Sequence, residues 1–343
     1  MRVGILTGGG DCPGLNPAIR GVVMRGIDHG FELIGIQLGW KGLVEGIVAP
    51  LSLEQVEDII YQGGTILGSS RTNPFKPGNE RQLEACLENA KALGFDAIVA
   101  MGGEDTLGVA SKLFKLGMPA VGIPKTMDND LDYTDYTFGF DTAVGVALDA
   151  ADRLRDTAKS HRRILVLEVM GRHAGWMALY CGIGAGADWI LLPEIALDLE
   201  EMCAHLRRRR ERGKQWGLIV ASEGVDIPSA DTEDITVDAF GHVILRERGV
   251  AEFIAKEIEK RVGVETRSAV LGHVQRGGSP TVFDRVLATR LGIKGADLVK
   301  EGCFGKMAAI QGSQIVAVDL DQAVNELKTV PIELWESIKT LFK

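Results

Sequence analysis

Nowhere in this sequence does an apolar stretch approach the roughly 20 residues that a membrane-spanning helix needs, so no membrane partner is expected. The start, from Met1 to Thr7, has too short an apolar run for a signal peptide and is cut off by Gly8-Gly9-Gly10-Asp11. Cysteine is sparse and unpatterned. The five residues (Cys12, Cys86, Cys181, Cys203 and Cys303) are odd in number, scattered and without a Cys-x-x-Cys pair, which argues against disulfides and structural zinc. A reducing, cytoplasmic setting is expected. Positive charge is also short. A net charge of −9 disfavours nucleic acid, whose phosphates demand an excess of Lys and Arg. Charged residues make up 25% without low-complexity or single-sign blocks, so disorder is not expected. A local basic site for a small phosphorylated ligand stays open inside this acidic whole.

What is present is a recurring unit: a short apolar strand, a glycine-rich turn, then an amphipathic helix. Val3–Thr7 runs into Gly8–Asp11 and a helix over 16–29; Ala97–Met101 runs into Gly102-Gly103-Glu104-Asp105 and a helix over 107–116. Ala120–Ile123 ends in Pro124-Lys125-Thr126-Met127-Asp128-Asn129-Asp130. The second half repeats the style at 164–169, 190–192 and 217–221. Strands alternating with helices imply an α/β chain with largely parallel sheets covered on both faces. At 343 residues, two doubly wound, Rossmann-like domains are expected. The expected division is 1–139 with 252–305, and 140–251 with 306–343. Ligands of such sheets lie beyond the carboxyl ends of the strands, where all these polar motifs fall. Three further readings are structural: a loop from Asp226 to Asp238, a solvated face for Arg207–Arg210, and a packing helix through Leu334, Ile338, Leu341 and Phe342.

The loop Gly8–Asn16 lets backbone N–H groups approach an anion at a helix N-terminus, or it is only a tight turn. It is neither a Walker A loop nor a clean dinucleotide fingerprint, which disfavours a nicotinamide enzyme without removing it. The stretch 124–130 says more. Two carboxylates two residues apart, Asp128 and Asp130, can divide the tasks of accepting a hydroxyl proton and holding Mg²⁺. Lys125 and Thr126 beside them add a cation and a hydroxyl, although Asp-Asn-Asp is also common turn material. Glu104 and Asp105 either face a metal, exclude further phosphate or complement the next helix. Downstream, Met170-Gly171-Arg172, Glu223, Arg267 and 271–280 scatter Arg and His over glycine-rich loops. That suits bidentate clamping of a sugar phosphate, or an interdomain ion-pair network.

Taken in order, Gly-Gly-Asp at 9–11, Gly-Gly-Glu-Asp-Thr at 102–106, Pro-Lys-Thr-Met-Asp-Asn-Asp at 124–130, Met-Gly-Arg at 170–172, Ser-Glu-Gly at 222–224 and Leu-Gly-His-Val-Gln-Arg-Gly-Gly-Ser-Pro at 271–280 resemble the 6-phosphofructokinase family. The resemblance runs from residue 3 to about 305. It implies a first, larger domain for the phosphoryl donor, a smaller one for the sugar phosphate and an active site in the cleft between them. It also implies the roles that follow. Asp128 is the base for the sugar 1-hydroxyl, with Thr126, Arg172 and Gly10 completing the catalytic set. Gly10, Arg71, Gly103, Asp105, Thr106 and Lys125 face the donor. Thr126, Asp128, Asp130, Met170, Gly171, Arg172, Glu223, His273 and Arg276 face fructose 6-phosphate. Arg163 and Arg267 reach that sugar from a neighbouring subunit, so a homodimer or homotetramer is implied. Glu104 and Asp130 hold Mg²⁺; the longer Glu104 stands where many relatives have Asp.

Donor choice rests on two side chains. ATP-using relatives have glycine where this chain has Asp105 and Lys125, and the pair resembles the pyrophosphate-dependent branch. Asp105 fills the space of a nucleotide α-phosphate and sets negative charge against it, at a cost of about 1 kcal/mol in water and about 4 in a protein-like medium. Lys125 offers a compact cation to the two phosphates that remain. The expected reaction is reversible, Mg-dependent transfer from pyrophosphate to fructose 6-phosphate, with sedoheptulose 7-phosphate a conceivable second acceptor. ATP as donor, and a non-catalytic subunit on the same fold, are the alternatives. Arg20 and Arg155 remain from the effector site of allosteric relatives, but Met24 and Trp216 replace an arginine and a histidine, so weak or absent allostery is expected.

Overall fold

The computed structural model describes residues 1–228 and 249–342; the expected loop from Asp226 to Asp238 lies almost wholly outside the described residues. Short runs rich in Val, Ile and Ala form the strands, and helices alternate with them. The described residues form two compact units, one from 1–142 and 276–327, the other from 143–275 and 328–342.

The first unit opens with β1 (Arg2–Thr7), α1 (Leu15–Asp28), β2 (Glu32–Ile36), α2 (Trp40–Glu45) and β3 (Val48–Pro50). It continues with α3 (Leu53–Val56), α4 (Glu80–Ala92), β4 (Ala97–Gly102), α5 (Glu104–Lys115) and β5 (Ala120–Pro124). The second unit takes up α6 (Phe140–His161), β6 (Ile164–Val169), α7 (Trp176–Gly184), β7 (Trp189–Leu191) and α8 (Leu199–Glu211). It adds β8 (Gly217–Ser222), α9 (Val250–Val262) and β9 (Thr266–Val270). The chain then supplies the first unit with α10 (Val282–Lys300), β10 (Lys306–Gln311), β11 (Gln314–Asp319) and α11 (Leu320–Ala323), and ends on α12 (Ile332–Ile338).

The first sheet runs β11-β10-β5-β4-β1-β2-β3. Its five inner strands are parallel and its two edges antiparallel. Helices cover both faces, which is why β4 reads as one apolar run and is buried at every residue. The order reverses at β1 and β4, the switch point at which such sheets bind ligands. Pairing of Thr7 with Met101, and of Met101 with Ile123, sets the carboxyl ends of β1, β4 and β5 level. The second sheet, β7-β8-β6-β9, is wholly parallel, and Val169 opposite Ser222 aligns the ends of β6 and β8.

The expected domain boundaries need correction. Residues 252–275 belong to the second unit, because β9 pairs with β6 from Ile164 onwards and α9 packs on them. Residues 306–327 return to the first unit, because β10 pairs in parallel with β5 and carries β11. A strand edge must find a partner for its N–H and C=O groups, and composition does not show which edge is open.

The last helix also differs. It stops at Ile338 and gives way to a 3-10 turn over Lys339–Leu341, so its inward stripe is Trp335, Ile338 and Phe342, while Leu334 and Leu341 are exposed. Phe342 stacks on Trp189 at 5.0 Å, and His205 of α8 completes this aromatic cluster. The Arg207–Arg210 run of α8 is not merely solvated. Arg209 pairs with the buried Asp188 at 2.8 Å, and Arg207 pairs with Glu200.

His205 is 2% exposed, and its Nε2 has no hydrogen-bond partner among the described residues. Burial lowers its pKa, aided by Arg209 and opposed by Asp188. The unfolded chain therefore binds this proton more tightly, and the stability His205 contributes when neutral is lost as pH falls through its ordinary value near about 6.5. On acidification from about pH 7.5 to about 5.5, the thermal midpoint of the protein should drop by a few degrees relative to that of His205→Leu. A gap between the two that ignores pH would exclude this coupling.

Candidate active site

Beyond the level ends of β1, β4 and β5, the first unit gathers most of the expected donor residues. Gly9 has φ 75°, a left-handed turn that glycine takes without strain, and the loop bends back beside the end of β4 through Gly8 N–H donating to Met101 O at 2.9 Å. Side chains close it in. A Cβ on Gly8 would lie 2.6 Å from Thr106 Oγ1, and one on Gly10 would lie 2.5 Å from Arg276 Nη1. Arg276 Nη1 donates to Asp11 O at 3.1 Å, so this arginine stands with the glycine loop in the first unit. The segment before Arg71 is tied to the same loop: Ser69 Oγ donates to Gly9 O at 2.5 Å, and Gly9 N–H donates to Ser70 O at 3.1 Å.

Lys125 follows β5. It is 3% exposed, and its Nζ donates to Gly10 O at 2.5 Å. The same nitrogen would lie 3.6 Å from a Cβ on Gly9. Burial lowers its pKa, with Arg276 acting in the same sense and Asp128 and Asp130 against it. Lys125 is thus a desolvated cation against the glycine loop, not a surface lysine. Across from it, α5 begins at Glu104, with Gly103 as N-cap, three residues before the expected start at Leu107. Glu104 and Asp105 occupy the first helical turn, where the macrodipole stabilises negative charge. Gly103, and neither carboxylate, is the N-cap, so the pair complements the helix by charge alone, which is compatible with the phosphate-facing reading.

The loop 125–130 is strapped from below. Asp128 N–H donates to Thr126 Oγ1 at 3.1 Å, Thr137 Oγ1 donates to Thr126 O at 2.6 Å, and Thr137 N–H donates to Asn129 Oδ1 at 3.0 Å. Asn129 takes φ 53°, a conformation that Asn tolerates better than most side chains. The strap presents the carboxylates on either side of it. Asp128 Oδ1 and Asp130 Oδ1 are both enclosed without a hydrogen-bond partner among the described residues. Burial, and then the charge of Asp128, push Asp130 up to about 7, with Glu104 adding to the effect and the Thr126 hydroxyl opposing it.

In the second unit, the ends of β6, β8 and β9 bring together Met170, Gly171, Arg172, Glu223 and His273. Ser222 Oγ donates to Gly171 O at 2.5 Å, and Glu223 N–H donates to Val169 O at 2.9 Å. Gly224 lies so close to Arg172 O that no Cβ fits. His273 is exposed on a 3-10 turn over Gly272–Arg276. Arg163 and Arg267 are elsewhere. Arg163 precedes β6 and Arg267 pairs with Leu165, so both stand at the amino ends of the strands, each on Glu265, at 3.4 and 2.7 Å. Met170 lies seven residues beyond Arg163 along the extended β6, about 23 Å away.

Residues 2–299 match the family model described as Phosphofructokinase. The chain belongs to the phosphofructokinase family. A pyrophosphate–fructose 6-phosphate 1-phosphotransferase of Dictyoglomus thermophilum is 54% identical to it, over 100% of this chain and 99% of that one. An ATP-dependent 6-phosphofructokinase of Streptomyces coelicolor is 50% identical over 96% of this chain and 97% of its own. Among solved structures, the phosphofructokinase of Pichia pastoris in the T-state superposes with a TM-score of 0.82 at 31% identity. That match covers 94% of this chain, which spans only 35% of the Pichia chain. This phosphofructokinase is therefore a phosphotransferase, and none of its described helices is long and apolar enough to cross a membrane.

Several residues that shape this phosphofructokinase's loops escape a search for charged groups. Asn16 is buried and fully bonded: Nδ2 donates to Gln62 O and Gly63 O at 3.2 Å, and Oδ1 accepts from Ile66 N–H at 2.8 Å. It anchors the segment that leads to Arg71. Thr137, Ser222 and Gln275 do the same for the other loops. Asn16, Ser222 and Gln275 stand inside the motifs themselves, where an uncharged polar residue in an apolar setting was the signal.

Proposed function

We propose that this phosphofructokinase moves a phosphoryl group from pyrophosphate to the 1-hydroxyl of fructose 6-phosphate, giving phosphate and fructose 1,6-bisphosphate. The observation that carries the choice of donor is Lys125, buried with its Nζ on Gly10 O beside the glycine loop. A desolvated ammonium there binds the two phosphates of pyrophosphate and occupies room that a nucleotide would need. Asp105, in the first turn of α5, sets charge against a third phosphate. Gly10, Arg71, Gly103 and Thr106 complete the donor side. The name of the Dictyoglomus relative points the same way. The Streptomyces relative, named for ATP, is nearly as similar, so overall identity does not choose between donors.

On the acceptor side, Asp128 takes the proton of the 1-hydroxyl while Thr126 orients it. Arg172 stabilises the charge on the transferring group, and Met170, Gly171, Glu223, His273 and Arg276 hold the sugar phosphate. Mg²⁺ fits the acidic pair. The two unpartnered carboxylate oxygens and the nearby Glu104 are hard donors, and no group of three or more His, Cys, Asp or Glu among the described residues could hold a metal alone. Such a partial set suits Mg²⁺, which keeps waters and phosphate oxygens. Glu104 and Asp130 would hold it, and when bound it neutralises phosphate charge. Arg163 and Arg267, at the far ends of β6 and β9, complete the sugar site of a neighbouring copy, so a homodimer or homotetramer is the working form.

Steady-state assays with either donor, in Mg²⁺ and in both directions, test this. The kcat/KM for pyrophosphate should exceed that for ATP by about 100-fold, roughly 2.7 kcal/mol. Comparable values would make ATP the donor and leave Asp105 and Lys125 without this role.

A further inference from the structure

Gln275 is fully buried in the second unit. Its Nε2 donates to the Met177 sulfur, a weak acceptor. Its Oε1, by contrast, accepts from Met170 N–H at 2.9 Å. Met170 is the first residue beyond β6, and its N–H needs a partner to be buried without penalty. The side chain thus joins the turn bearing His273 to the loop Met170-Gly171-Arg172. Ser222 joins that same loop to the one bearing Glu223, through Gly171 O and Gly224 N–H. With the ladder continuing through Leu271 N–H to Glu168 O and Glu223 N–H to Val169 O, these side-chain bonds set the three loops against each other.

We propose that Gln275 is a positioning residue for sugar-phosphate recognition, acting through Met170 and the turn of His273 without touching the substrate. This rests on the assignment of those loops to fructose 6-phosphate. Gln275→Leu keeps most of the volume but removes the acceptor, so the Met170–Arg172 loop and the His273 turn lose their common register. The KM for fructose 6-phosphate should rise about ten-fold or more, while the KM for pyrophosphate stays within about two-fold. Gln275→Glu, which retains an acceptor oxygen, should recover much of the loss.

Calorimetry with fructose 6-phosphate alone reads the same contrast without any donor. The Leu variant should bind at least about ten-fold more weakly than the wild type. If Gln275→Leu does not fold, Gln275→Asn, one methylene too short to reach Met170, replaces it in both measurements. Equal rises in the two KM values, or unchanged binding of fructose 6-phosphate, would overturn the role of Gln275. Absence of any wild-type binding of fructose 6-phosphate would overturn the acceptor assignment and this inference with it; loss of the pyrophosphate assignment alone would leave the binding result standing.

Discussion

Asp128→Asn should slow phosphoryl transfer about 1,000-fold, or about 4 kcal/mol in the barrier, with both KM values nearly unchanged. Asn keeps the volume of Asp128 and leaves its backbone N–H on Thr126 Oγ1, so the strap from Thr137 survives. What it removes is the enclosed, unpartnered oxygen that can accept a proton. It also removes the charge that, after burial, does most to raise Asp130, which then ionises at lower pH and keeps its claim on Mg²⁺. The change therefore isolates proton acceptance from metal holding. A kcat within ten-fold of wild type would exclude Asp128 as the base.

The combined change Asp105→Gly with Lys125→Gly should weaken pyrophosphate use by about 100-fold in kcat/KM and bring measurable turnover with ATP. Lys125→Gly carries most of the loss. A buried ammonium about 4 Å from a phosphate interacts by about 4 kcal/mol at the effective dielectric of such sites, part of which is spent on desolvating the lysine. Asp105→Gly carries most of the gain with ATP, since it opens space and removes a charge that the first turn of α5 already tolerates. The two single variants should split accordingly. Unchanged donor preference in the double variant would exclude both the steric and the electrostatic basis for donor choice.

The sequence made the strands and most of the site visible, for a physical reason. Buried parallel strands such as Ala97–Gly102 read as apolar runs, and the glycine loops that follow them mark the carboxyl ends. Asp128, Lys125 and Gly10 were legible because chemistry concentrates there. Other features were not. The start of α5 at Glu104, with Gly103 as N-cap, precedes the apolar stripe from which a start at Leu107 was expected. The return of 306–327 to the first unit depends on the open edge of β5, a property of the assembled sheet. At the chain end, a helix stopping at Ile338 turned Trp335 and Phe342 inward in place of Leu334 and Leu341. Asn16, Thr137 and Gln275 carry no charge, and what they do is visible only in their bonds. The role of Arg163 and Arg267 in a neighbouring copy came from resemblance alone, and the direction of β6 and β9 sets both at the strand ends away from their own chain's loops.

The return of β10 to the edge of β5 also governs how the molecule is made. A ribosome delivers β1 to β5 early, yet the free edge of β5 stays open until residue 306 emerges. Meanwhile the β7-β8-β6-β9 sheet is complete by residue 270. The second unit can therefore close its sheet during synthesis while the first waits with an exposed, aggregation-prone edge. Nascent chains stalled between these two points are the species on which a chaperone would act.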